Sequence, residues 1–140
     1  MERKKGQNMN RIDQIKEISP FYSERLHQMR IDTTDDLFNM CRCKEGRDEL
    51  ARKIGIDADT LLKWTSMADL FRIHGIGNQF SQLLEATGVM TTAELRNQDA
   101  TDLSQRLYEI NLKKRLSKII PSPHIVQRWI EQAKKLEPHH

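Results

Sequence analysis

Residues 70–89 read LFRIHGIGNQFSQLLEATGV. Leu70, Phe71 and Ile73 end one apolar stripe, and Phe80, Leu83 and Leu84 begin another, with the spacing of a helix face. Between them His74-Gly75-Ile76-Gly77 has the two glycines of a sharp turn, and Gly88 closes the second helix. The stretch predicts two short helices joined by a tight hairpin.

The same pattern extends in both directions. Ile12, Ile15 and Ile18 start a helical stripe, and Ser19-Pro20 opens the helix of Phe21, Tyr22, Leu26 and Met29. Thr33-Thr34-Asp35-Asp36 starts the next, with Asp36 at the positive end of the helix dipole. Gly46 is expected to break the chain, and Gly55 to form a left-handed stop. Asp57 caps a longer helix through Trp64 and Ala68. Beyond the hairpin, Thr91-Thr92-Ala93-Glu94 reads as a capping box, Thr101 as a cap, and Ser122-Pro123 as the start of the last helix. No segment alternates apolar and polar residues long enough for a strand. The expectation is an all-α fold of eight or nine short helices.

A shift of 58 residues lays the first half on the second. Ile15, Ile18, Ser23 and Leu26 fall on Ile73, Ile76, Ser81 and Leu84, and Thr33-Thr34 falls on Thr91-Thr92. Near the ends the offset becomes 65: Leu61, Trp64 and Ala68 meet Val126, Trp129 and Ala133. The second copy is therefore seven residues longer, with the extra length near Asn111 to Ser117. Two tryptophans in equivalent places read as core rather than as ligand-stacking groups. The boundaries read 1–11 for a disordered basic tail, 12–67 for the first repeat, 68–136 for the second and 137–140 for a terminal tail. The two repeats are expected to pack as a pseudo-two-fold unit.

Charge limits the functional classes. The net charge of +3 belongs entirely to residues 1–11, and residues 12–140 balance at 19 basic and 19 acidic. A dedicated high-affinity nucleic-acid binder carries a basic excess in its folded body, so that class is disfavoured. Residues 12–67 are net −2 and residues 68–140 net +2, the densest basic stretch being Arg106, Lys113, Lys114, Arg115 and Lys118. Tyr108 is the one aromatic residue within that stretch, short of the interleaved series that a single-strand stacking platform needs. No apolar run is long enough to span a membrane, and no signal-peptide core follows Met1.

Catalytic signatures are missing from the sequence. There is no phosphate loop ending in Lys-Ser/Thr, no nucleophile elbow and no metal-spaced His and carboxylate cluster. His27, His74 and His124 are scattered, and Glu24 and Glu85 read as solvated carboxylates on helix faces. Cys41 and Cys43, two apart, read as free thiols of a reducing cytosol, with a cytoplasmic location. The expectation is a non-enzyme with no cofactor, no metal, no small-molecule substrate and no membrane partner.

The hairpin resembles the helix-hairpin-helix motif. That resemblance implies that backbone N–H groups at Gly75, Ile76, Gly77 and Asn78 approach a DNA phosphate, assisted by Arg72 and His74. A helix N-terminus suits an anion, and glycine permits the close approach. Over residues 12–136, the GIG turn, the Thr-Thr capped helix, LLKW…ADL and PSP…W…QAKKL resemble domain-of-unknown-function family 4332. This resemblance implies two helix-hairpin-helix, sterile-alpha-motif-like repeats and leaves activity unassigned. Where that family has a glycine-rich first hairpin, this chain has Ile-Ser-Pro-Phe-Tyr at 18–22; Pro20 has no N–H, and Glu24 adds negative charge.

The expected function is weak, sequence-independent binding of double-stranded DNA or another nucleic acid through the second hairpin. Its expected contacts are Arg72, His74, Gly75, Ile76, Gly77, Asn78, Lys113, Lys114, Arg115 and Lys118. The alternative is a protein-interaction module whose hairpins are purely structural.

Overall fold

The computed structural model describes residues 10–136, and helices are the only extended secondary structure among them. A 3-10 turn at Ile12–Gln14 precedes α1 (Pro20–Gln28), α2 (Thr34–Cys41), α3 (Lys44–Ile54) and α4 (Ala58–Leu70). Then come α5 (Asn78–Ala86), α6 (Thr92–Leu95), α7 (Ala100–Lys114) and α8 (Pro123–Lys135). The all-α expectation holds.

Most helix starts follow from side chains acting over three residues. Thr33 and Asp36 form a reciprocal capping box on α2. Asp57 accepts the Thr60 N–H at 2.7 Å, and Ser122 accepts the Ile125 N–H at 3.2 Å. Thr91 accepts from Glu94, whose carboxylate reaches past the cap to the Met90 N–H. Two local expectations need correction. Asp99, not Thr101, caps α7, because its carboxylate meets the Asp102 N–H at 3.0 Å. Gly46 lies inside α3 rather than breaking the chain, and a Cβ there would sit 2.2 Å from the Met40 carbonyl oxygen. Glycine lets the α2–α3 junction close.

The chain parts into two compact units after Arg72, not after Met67 as the periodicity suggested. The reason is α4, which runs unbroken across that point and buries Met67, Ala68 and Phe71 in the first unit's core. The tail boundary also moves. Asn10 accepts the Thr34 N–H and donates its side-chain amide to the Phe71 carbonyl, while Arg11 bridges to Thr33. Residues 1–9 and 137–140, which carry the remaining tail expectations, lie outside the described residues.

Within the first unit α1 packs on α3, α2 on α4 and α3 on α4. The core includes Ile12, Ile15, Leu26, Leu37 and Leu61, with Trp64 3% exposed. Within the second unit α5 packs on α7, α6 on α8 and α7 on α8. Leu83, Leu84, Leu103, Leu107 and Val126 are fully buried there, with Trp129 2% exposed. Both tryptophans are core residues.

Local contacts recur at the sequence offsets. Tyr22 tilts against Trp64 at 5.7 Å, and Phe80 against Trp129 at 5.2 Å. Ser23 donates to the Pro20 carbonyl and Ser81 to the Asn78 carbonyl, both at 3.1 Å. Ile31 N–H returns to Leu26 as Val89 N–H returns to Leu84. At the left-handed residue of this return, the first unit has Arg30 (φ 65°) and the second Gly88 (φ 94°). An L side chain is strained in that conformation. Arg30→Gly is expected to raise the unfolding free energy by about 0.5–1 kcal/mol, strain relief exceeding the added chain entropy. Urea denaturation measures it.

His27 clamps the entry to α1. Its Nδ1 lies 2.7 Å from Asp32 and its Nε2 2.9 Å from Asp13, so protonation lets both ring nitrogens donate. The Asp32 hydrogen bond, then that of Asp13, raises the pKa above 6.5. The resulting stabilisation is fully present below pH 6.5 and is lost as pH rises through the raised folded value. Urea midpoints are expected to fall across that window for the native chain and to change less for His27→Gln.

Candidate nucleic-acid interface

The turn and α5 belong to the second unit, whereas α4, the helix before the turn, belongs to the first. Ile76 is buried and donates its N–H to Ile73, which closes the turn and leaves His74 and Gly75 exposed on its outside. Gln132 of α8 then clamps the turn. Its Oε1 accepts the His74 N–H at 2.8 Å, and its Nε2 donates to the His74 carbonyl at 3.1 Å. A primary amide satisfies both backbone groups of one residue, as a neighbouring strand would. Gln132 carries no motif signature, because the bond joins residues 58 apart.

The two hairpin glycines exist for different reasons. Gly75 has φ +100°, and a Cβ there would lie 3.3 Å from Trp129 Nε1, so conformation and packing both require glycine. Gly77 has φ −118°, which any residue adopts, and a Cβ there would meet nothing within 4 Å. The fold leaves the space over Gly77 open.

Gly77 is also the N-cap of α5 and supplies no side-chain acceptor. The first N–H groups of a helix have no intrahelical partners, and they carry the positive end of the dipole. The caps of α1 and α3 lack a side-chain bond too, but α1 begins at Pro20 and α3 has Glu45 in its first turn. The first turn of α5 contains no acidic residue. Among these three starts, that of α5 is the one suited to an anion.

The expected cations fall into separate places. Lys118 comes close: Gln79 of α5 accepts the Lys118 N–H at 3.2 Å, and its Oε1 lies 3.1 Å from the Ser117 hydroxyl. The loop bearing Lys118 is thereby tied to the start of α5. Lys113 and Lys114 are exposed in the last turn of α7, where they also complement the helix dipole, and Arg115 caps it with φ 52°. Arg72 is employed differently. It belongs to the first unit, pairs with buried Asp69 at 2.9 Å and lies 4.6 Å over the Phe38 ring. Arg106 is also occupied, its guanidinium donating to the Thr87 carbonyl and to Gln98. Arg128 of α8, missed from sequence, lines a cleft of about 500 Å³ with His74 and Gly75.

Elsewhere, burial pushes the Cys41 thiol up to about 11, leaving it protonated at neutral pH, while Cys43 is exposed. No His, Cys, Asp or Glu cluster among the described residues could hold a metal ion. Nor is any helix among them long and apolar enough to cross a membrane.

Among its described residues the chain is all-α, with a glycine hairpin at the start of α5. It belongs to the family described as a domain of unknown function (DUF4332), whose model matches residues 16–136. No curated protein and no solved structure matches the chain.

The clamp makes the site testable. Gln132→Ala is expected to accelerate hydrogen exchange of the His74 amide at least about tenfold, in proportion to the net worth of the lost bond. Gly75→Ala is expected to cost about 1–3 kcal/mol in thermal or urea unfolding, from backbone strain and the Trp129 contact.

Proposed function

We propose that the chain is a tandem of two helix-hairpin-helix, sterile-alpha-motif-like repeats whose second hairpin binds the phosphate backbone of duplex DNA, weakly and without sequence preference. The tandem reading rests on matched helix pairs, matched aromatic pairs and the shared 58-residue return. The DNA reading is carried by Gly77, a glycine that neither backbone conformation nor packing demands, at an uncapped helix start. A phosphate oxygen needs that unobstructed approach. Lys118, held to α5 through Gln79, and Arg128, which lines a cleft with His74 and Gly75, add positive charge nearby.

In this reading Gly77 and Asn78 form the contact and Gly75 shapes the turn beside it. Buried Ile76, whose N–H is bonded to Ile73, holds the turn and does not reach the phosphate, and His74 borders the contact. Lys113, Lys114 and Arg115 supply longer-range attraction. The near-neutral body fits low affinity, and the role is binding rather than catalysis. A protein-interaction role has one specific support, the exposed apolar cleft beside the hairpin.

Gly77→Thr separates binding from folding. A Cβ at Gly77 meets nothing within 4 Å, so threonine is expected to fit and to cap α5 once ψ turns from −152° towards the 164° and 162° of the Thr33 and Thr91 caps. Stability should stay level or rise by up to about 1 kcal/mol. Anisotropy with a labelled duplex at low salt should show binding weakened severalfold and lost steeply as salt increases. Duplex binding indifferent both to Gly77→Thr and to charge reversal at Lys113, Lys114 and Arg115 overturns the reading.

A further inference from the structure

The second unit carries a cleft of about 500 Å³, within the usual range of ligand sites, roughly 300–1,000 Å³. Its walls come from the hairpin, Phe80 of α5, the loop between α7 and α8, and Trp129 on α8. Three isoleucines mark it. Ile119 is 68% exposed, Ile120 37% and Ile125 36%. Apolar groups gathered on a surface this way indicate a contact site, whereas scattered ones do not.

Ile119 is displayed by a braced loop. Asn111 takes the Ser117 N–H on Oδ1 and donates from Nδ2 to the Ser117 carbonyl, each at 2.9 Å. The Ser117 hydroxyl donates to the Ile119 carbonyl and accepts the Ile119 N–H. Gln79 holds the same turn from α5. These bonds order the loop before any partner arrives, which lowers the entropic cost of docking. The connection between α7 and α8 spans residues 115–122, against 55–57 between α3 and α4. The first half therefore has no matching segment.

Charge selects the occupant. Arg128 and His74 line the cleft and no carboxylate does. Lys118 adjoins Ile119 and is exposed. We infer that this cleft docks a short acidic peptide segment of a protein partner, which buries a branched or aromatic side chain against Ile119, Ile125 and Trp129 and sets a carboxylate on Arg128. An apolar anchor supplies contact area, and the charge pair sets orientation and partner choice. The cleft shares Arg128 and His74 with the phosphate reading, and Ile119 and Gly77 tell the two apart.

The test uses the full chain and a labelled twelve-residue peptide of three Asp-Leu-Glu-Phe units. Its controls are an Asn/Gln version lacking the charges and a version with Ser in place of Leu and Phe. Amide and indole NMR spectra are expected to shift at Gly75, Ile119 and the Trp129 Nε1–H, with the Trp64 indole unchanged. Both control peptides, and the Ile119→Ser and Arg128→Gln chains, are expected to bind at least about tenfold more weakly, a loss of roughly 1.4 kcal/mol. Ile119→Ser should leave duplex DNA binding unchanged, and Gly77→Thr should leave peptide binding unchanged. Absence of shifts at millimolar peptide overturns the inference, as does equal binding by Ile119→Ser. Shifts at Ile119 and Ile125 produced by a duplex but not by the peptide would assign the cleft to nucleic acid and also overturn it.

Discussion

The side-chain amide of Gln132 grips both backbone groups of His74, and the second unit's surface features are organised around that grip. A tight turn exposes backbone donors and acceptors that must find partners or water. Here α8 provides them, fixing the hairpin to the helix that also carries Trp129. Gly75 can then lie against the indole, and Phe80 packs on the same ring at 5.2 Å. The turn, the start of α5 and one wall of the cleft are positioned by the same helix. One clamp serves two candidate surfaces.

The first unit shows what happens without such a turn. Its aromatic pair, serine bond and cap are close counterparts of those in the second, so the frame is similar. At the start of α1, however, Pro20 removes a donor and exposed Phe21 lies under the Arg25 guanidinium at 4.6 Å. At the other end of α1, His27 in the last turn holds Asp13 ahead of the helix and Asp32 after it. Similar helical frames carry different chemistry at corresponding helix starts. The small opposing charge imbalance between the halves fits that division.

Legibility in the sequence followed the range of the interaction. Caps at Thr33, Asp57, Thr91 and Ser122 act over three residues, and each left a readable local pattern. Core stripes were legible because helical periodicity is local too, and the paired tryptophans were found by self-comparison. Gln132, Gln79 and Asn111 escaped notice because glutamine and asparagine on a helix imply no partner by themselves. Their bonds depend on how elements meet in space. Arg72 was misread for the converse reason: its nearness to the hairpin in sequence suggested a shared role, while its charge is paired with Asp69. Gly46 resembled a breaker because composition does not distinguish a turn from a close approach of backbones.

The Gly-Ile-Gly triplet shows how far a motif can be trusted. Read as letters, its two glycines are equivalent. Read physically, Gly75 is compelled by a positive φ and a neighbouring indole, and its presence is explained without any ligand. Gly77 has an ordinary φ of −118° and open surroundings, and its ψ of −152° lies within about 45° of the threonine caps of α2 and α6. A better-capping residue was therefore available there at little steric cost. Glycine at such a position puts no side chain between the start of α5 and a group approaching from outside. In the proposed reading, the functional content of the hairpin lies in the glycine that the fold does not need.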